Sequence, residues 1–271
     1  MKKILYSLKN TKIKNLIKSY KSINKKNKLF IVEGIKEFEM AVKGKFYPIE
    51  IFICDEIFEK YNLVKLFKSI IFYISIKVFQ KISYRENSGG IIALFKEKKM
   101  NTLKNINICK KNAIILILDG IEKPGNIGSI LRTANAVGVN MIILCNMKTY
   151  IFNSNVIRSS LGSIFTISIF IEKKMETIFH WLKKNNIKIL TTGFHNNSHY
   201  VVKNIYKTKL YYDRIAIVFG SEDKGVSSIW LDKADHIINI PMFGDINSLN
   251  VSNAVSIIIY EIIRQKYYVA K

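Results

Sequence analysis

The apolar positions of this chain follow two alternating rhythms. Short blocks dense in Ile, Val and Leu lie at 113–118, 140–145, 164–169, 188–192, 214–219 and 237–240. They are too short for helices and read as strands. Between them apolar residues recur every three or four positions. Ile127, Ile130, Leu131, Ala134 and Val137 show this spacing, as do 175–185 and a long final segment ending near 267. These predict amphipathic helices. The first third repeats the alternation on a smaller scale. Strands are expected at 29–32, 49–54, 70–74 and 90–95, and helices at 35–43, 56–69 and 76–84. Ile13, Leu16, Ile17, Tyr20 and Ile23 predict one further short helix. Strand and helix in turn predict an α/β protein. Residues 1–96 read as a small α/β domain and 113–271 as a second. The segment 97–112 is rich in Lys and Asn, has weak periodicity, and reads as a linker.

The block 113–118 runs through Asp119-Gly120 into a Pro124-Gly125 break. A helix is expected to begin at Asn126, whose side chain can accept from the first helical amides. At 100° per residue its apolar positions share one face, and Arg132 falls nearly opposite, flanked by Gly128 and Asn135. Taken alone, this is a solvated arginine on an ordinary strand–helix unit.

Charge changes the picture moderately. The formal net charge of +23 favours a polyanionic partner. Yet only five of the 43 basic residues are arginine. Lys, Asn and Ile are abundant even where they have no evident task, as A/T-rich codon usage would produce. The overall charge therefore counts for less, and each arginine for more. Residues 1–32 hold ten lysines and no acid. Lys12 and Lys14 on the first helix would meet RNA phosphates or simply water. Cys54, Cys109 and Cys145 are far apart with no CxxC, which points to neither zinc nor disulfides and fits a reducing, cytoplasmic setting. Apolar runs such as 70–76 are too short to span a bilayer. The N-terminal residues lack the apolar core of a signal peptide.

Several familiar chemistries can be set aside. No GxGxxG follows a strand, so the dinucleotide fingerprint is missing. Gly220 to Gly225 has P-loop glycine spacing, but Val226 stands where lysine is needed and two acids sit where phosphates would lie. His195 and His199 are four apart in a loop-like stretch without further ligands, so no metal is expected. No Ser-His-Asp or Cys-His arrangement stands out. Three strand-to-loop junctions remain: Asn126 with Arg132, Gly220 with Glu222 and Gly225, and Ser248 with Asn250. In open α/β sheets, ligands bind just beyond the carboxyl ends of strands, and small residues there let backbone approach a ligand.

These residues resemble a known family. Asn126-x-Gly128-x-x-x-Arg132, the loop Phe219-Gly220-Ser221-Glu222-Asp223-Lys224-Gly225, and Ile240-Pro241-Met242 followed by Ser248-Leu249-Asn250-Val251-Ser252-Asn253-Ala254 are similar to the three motifs of the SpoU (TrmH) family. Its members are RNA ribose 2′-O-methyltransferases of the SPOUT superfamily. Order and spacing match throughout 113–267. Phe30-Ile31-Val32-Glu33-Gly34 and Ser88-Gly89-Gly90-Ile91-Ile92-Ala93 resemble the substrate-binding domain that precedes the catalytic domain in many members.

The resemblance implies a SPOUT domain with a mostly parallel sheet and a deep trefoil knot, behind a small α/β RNA-binding domain. It also implies S-adenosylmethionine as methyl donor and a homodimer with sites at the subunit interface. By position, Thr192, Gly193, Gly220, Ile240 and Leu249 would meet the cofactor. Loops carrying Glu222, Ser248 and Asn250 would close the site. Arg132 is the implied catalytic residue, with Asn126 and Glu222 orienting it or the hydroxyl. Arginine stays protonated in proteins. Its expected role is therefore to bind the ribose or phosphate and stabilise negative charge, not to act as a base. Arg158 is a second candidate RNA contact; its alternative is a surface ion pair. Ribosomal RNA is the expected substrate and transfer RNA the alternative. The competing class is a non-catalytic RNA-binding protein with a degenerate methyltransferase fold.

Overall fold

The computed structural model describes residues 4–21, 28–84, 88–100, 102–103, 106, 108, 111–193, 200–210 and 212–269. Ile23, Cys109, His195 and His199 lie outside the described residues. Backbone proximity divides the chain into two units. One is Met1–Lys99 with Tyr150–Thr166, and the other is Met100–Thr149 with Ile167–Lys271.

The first unit opens with β1 (Ile4–Leu5), α1 (Thr11–Lys21), β2 (Leu29–Glu33) and α2 (Ile35–Lys43). It continues with β3 (Pro48–Ile53), α3 (Tyr61–Val64), β4 (Ile71–Ile74), α4 (Ile76–Ile82) and β5 (Ile91–Lys96). The sheet order is β1-β4-β3-β5-β2. β5 runs antiparallel to both its neighbours, and β4 parallel to both of its own. Ile13 and Leu16 of α1 are buried with Phe52, Ile74, Phe79 and Ile92, which accounts for the helical spacing there. The helix expected over 56–69 is cut short to α3 and a 3-10 turn at Lys65–Ile70. Leu66 is 91% exposed, so the apolar spacing in that segment does not mark one buried face. Residues 150–166 join this unit through an aromatic cluster. Phe152 and Phe165 stack on Phe30 with ring centroids at 4.6 and 5.7 Å.

The second unit holds β6 (Ala113–Asp119), α5 (Pro124–Val137) and β7 (Met141–Cys145). The returning segment of the first unit then supplies α6 (Ser154–Ser159). The second unit resumes with β8 (Ile169–Ile171), α7 (Met175–Lys184), β9 (Lys188–Thr192), β10 (Val202–Asn204), β11 (Arg214–Gly220), α8 (Ser228–Lys233), β12 (His236–Asn239) and α9 (Val251–Arg264). The strand expected at 164–169 is instead a 3-10 turn at Ser163–Phe165, with β8 beginning later. Gly162, at φ 76°, turns the chain there; a Cβ on it would lie 2.7 Å from Met40 Cβ.

Seven strands lie in the order β10-β12-β9-β11-β6-β7-β8, and every neighbouring pair is parallel. A parallel sheet is covered on both faces, so its strands must be apolar throughout. All seven residues of β6 are buried. Ile115 and Ile117 point to the core shared with Ile178, Trp181 and Leu182 of α7 and Trp230 of α8. The alternate residues face the other side, where α9 packs on α5 and β11. Leu103, Ile106 and Ile108 also pack on the second unit's core, and Trp181 Nε1 donates to the Ile106 carbonyl at 2.7 Å. From β6 the chain builds outward through β7 and β8, then returns on the opposite side to add β9, β10, β11 and β12. Such a reversal opens a crevice at the carboxyl ends of the central strands. Among the described residues no helix is long and apolar enough to cross a membrane.

Ile117 is fully buried at the sheet centre. Ile117→Ala should cost about 2–5 kcal/mol, seen as a lower urea midpoint in circular dichroism.

Candidate active site

The helix after β6 begins two residues earlier than expected, at Pro124. Lys123 occupies the N-cap position and makes no side-chain cap bond, and Pro124 is the first helical residue. Proline fits there because that position needs no N–H donor. Asn126 is therefore not the cap. It sits inside the first turn, and its side chain is free to reach outward. Ile127, Ile130, Leu131 and Ala134 are buried, whereas Arg132 is exposed on the far side.

The Asn126 amide joins two other loops. Its Nδ2 donates to Glu222 Oε1, and its Oδ1 accepts from Asn250 Nδ2 at 3.1 Å. Asn250 caps α9. Its Oδ1 accepts from the Ser252 N–H at 2.9 Å and the Ser252 hydroxyl at 2.7 Å. One carboxamide thus ties the start of α5 to the loop after β11 and to the start of α9.

Glycine shapes the loop after β11. Ser221 and Gly225 exchange backbone hydrogen bonds at 2.9 Å in each direction. This turn folds back over the strand end so closely that a Cβ on Gly220 would lie 2.0 Å from the Gly225 carbonyl carbon. At the end of β9, Thr192 Oγ1 donates to the Val218 carbonyl at 3.1 Å. Gly193 N–H donates to the Ile238 carbonyl at 3.0 Å, and a Cβ on Gly193 would meet Ile237 Cγ2 at 2.6 Å.

These strand ends and loops enclose a cavity of about 960 Å³, near the upper end for small-molecule sites. Thr192, Gly193, Gly220, Ile240 and Leu249 all line it, and so do Glu222, Ser248 and Asn250. Apolar walls come from Phe219, Leu231 and Ile237, and cations from Lys123 and Lys224. Asn126 stands just outside, holding Glu222 and Asn250. Arg132 does not line the cavity. It lies six residues beyond Asn126, about 9 Å further along α5. Among the described residues it makes no hydrogen bond or ion pair.

Asp119 escapes a motif-based reading, although an acid closing an apolar strand just before a glycine is a signal. It is only 3% exposed. Its Oδ2 accepts from the Ser227 N–H at 2.8 Å and the Ser227 hydroxyl at 2.5 Å. Its Oδ1 accepts from Asn146 Nδ2 at 2.6 Å and from the Cys145 thiol at 3.7 Å. The carboxylate therefore anchors the far end of the 221–227 loop to the sheet. Burial, reinforced by Asp119, pushes the Cys145 thiol well above its ordinary range.

The remaining predicted residues lie in the first unit. Lys12 is paired with Glu50 at 2.5 Å and sits over the Phe72 ring at 4.2 Å, while Lys14 is exposed. Arg158 is exposed on α6, with its guanidinium 5.5 Å from the Tyr84 ring centre. Among the described residues no group of three or more His, Cys, Asp or Glu could hold a metal ion.

Comparison with known proteins adds independent findings. Residues 113–260 match the family described as SpoU rRNA methylase, and residues 10–93 match an MRM3-like substrate binding domain. The chain is 36% identical over 159 residues to a protein assigned to the TrmH family of tRNA/rRNA methyltransferases in Staphylococcus saprophyticus. That match covers 59% of this chain and 61% of the relative, so it spans less than two thirds of the relative's length. Over 263 residues the chain is 27% identical to the 23S rRNA (guanosine(2553)-2′-O)-methyltransferase RlmP of Bacillus subtilis, covering 96% of this chain and 99% of that one. A crystal structure of an RNA 2′-O ribose methyltransferase superposes with a TM-score of 0.82 at 26% identity, covering 97% of this chain and 99% of that one.

Asp119→Ala would leave the Ser227 and Asn146 donors without their acceptor. It should cost about 3 kcal/mol. Amide hydrogen exchange should accelerate across 221–227 more than in β6.

Proposed function

The chain belongs to the SpoU rRNA methylase family, and on that footing we propose that it is an S-adenosylmethionine-dependent methyltransferase acting on a ribose 2′-hydroxyl of ribosomal RNA. The observation that carries this reading is the convergence of Thr192, Gly193, Gly220, Ile240 and Leu249 on one cavity at the carboxyl ends of β9, β11 and β12. The cavity fits the cofactor in kind. Gly193 and Gly220 leave no room for a side chain, so the wall there is backbone, and the remaining wall is largely apolar. When bound, S-adenosylmethionine supplies an electrophilic methyl group.

The protein's own task is to place the hydroxyl and manage its charge. Holding a nucleophile in line supplies a large part of a barrier reduction. Glu222 and Asn250, both fixed by Asn126, are positioned to shape the mouth of the cavity. Arg132 is a permanent cation on a rigid helix. In this reading it holds the ribose phosphate and stabilises negative charge as the proton leaves through phosphate or water. Its place outside its own chain's cavity supports the homodimer implied by the family, in which a second copy completes each site. Family membership likewise supports the trefoil knot. Relatives named for ribosomal RNA support that substrate, and a cytoplasmic location follows from it.

Arg132→Ala should lower methylation at least about 100-fold. S-adenosylmethionine affinity by calorimetry should stay near wild type. Near-normal methylation by this variant would end the assignment of Arg132. Mapping 2′-O-methyl positions in ribosomal RNA after incubation with enzyme and S-adenosylmethionine tests the reaction itself. RNA affinity should also fall steeply between low and high salt, because phosphate contacts release counterions.

A further inference from the structure

We propose that Tyr84 and Arg158 form a clamp for an unpaired nucleobase of the substrate RNA, with the base stacked on Tyr84 and its phosphate paired with Arg158. The clamp rests on the RNA-directed reading above. Both residues belong to the first unit. Tyr84 follows α4 and is 63% exposed, yet the backbone that carries it is fixed. Its N–H donates to Glu33 Oε2 at 3.0 Å. The same carboxylate accepts from the Tyr20 hydroxyl at 3.0 Å and the Ser83 hydroxyl at 2.7 Å. An aromatic ring is thus held out into solvent on an anchored backbone, ready to gain from being covered.

Arg158 supplies the second half. Its guanidinium lies 5.5 Å from the Tyr84 ring centre, within cation–π range. Among the described residues it has no carboxylate partner. Lysine is this chain's usual cation, and the arginine here brings what lysine lacks. It has a planar, weakly hydrated charge that suits phosphate and ring faces alike. The cleft between the two side chains and Ile31, Ser154 and Ile157 holds only about 20 Å³. That is room for about one water, so a base cannot be swallowed and must stack at the surface. Exposed aromatics beside arginine hold unpaired bases. A duplex hides its base faces, so the clamp selects single-stranded RNA.

The test uses the full chain and two probes in fluorescence anisotropy: a short labelled oligoadenylate, and a blunt RNA duplex of similar length. Tyr84→Ala should weaken oligoadenylate binding about tenfold while duplex binding stays within about twofold. Tyr84→Phe should retain both affinities. Arg158→Gln should weaken oligoadenylate binding and lower its salt dependence by about one phosphate contact. Wild-type oligoadenylate affinity in Tyr84→Ala would overturn the clamp. So would an equal loss on both probes, or the same loss in Tyr84→Phe. Circular dichroism checks that each variant is folded. A wild-type chain that methylates no ribosomal RNA would sink the proposed function, whereas the clamp is judged by the anisotropy comparison alone.

Discussion

Seven consecutive residues of β6 lie in register with seven of β11, from Ala113 beside Arg214 to Asp119 beside Gly220. These two strands are far apart in sequence, and their pairing forms the middle of the sheet. It brings the loop that follows β6 alongside the loop that follows β11. A register slip of one residue would turn every β6 side chain to the opposite face. The strand is buried on both sides, so a slip would not by itself expose apolar surface. What marks the register is polar: Asp119 must reach Ser227, and Gly220 must sit under the 221–225 turn.

From that pairing the site is assembled by two small polar groups working at different depths. Asp119 lies beneath the loops and fixes the end of the 221–227 segment to the sheet. Asn126 lies at the rim and links Glu222 to Asn250. Buried or half-buried polar groups of this kind contribute modest net stability but strongly penalise any arrangement that leaves them unpaired. They act on geometry more than on energy.

The first unit follows a different logic. Its sheet is mixed, and its segment 150–166 arrives from beyond β7 and is held by the rings of Phe30, Phe46, Phe152 and Phe165. That return places Arg158 beside Tyr84 although 74 residues separate them in sequence. Lysine number misleads here. Lys12, from the most basic stretch of the chain, is occupied by Glu50, while the rarer arginines at 132 and 158 stand without carboxylates among the described residues.

The sequence by itself determined the strand and helix alternation, because apolar period reports burial directly. β9 and α2 fall where their patterns put them. That Gly220, Ile240 and Leu249 share one cavity was legible through the family motifs that mark their loops. Helix starts were not. Asn126 and Asn250 are both amides near a helix start, yet only Asn250 caps, because the first helix begins two residues earlier, at Pro124. The 164–169 run turns instead of extending because of the backbone conformation at Gly162, which apolar content does not report. Only tertiary structure decided that Asp119 anchors a loop more than a hundred residues away, that Asn126 bridges Glu222 and Asn250, and that Arg132 stands clear of its own cavity. Periodicity records which face of an element is covered. It carries no record of which distant element covers it, and each of those three decisions depends on that partner.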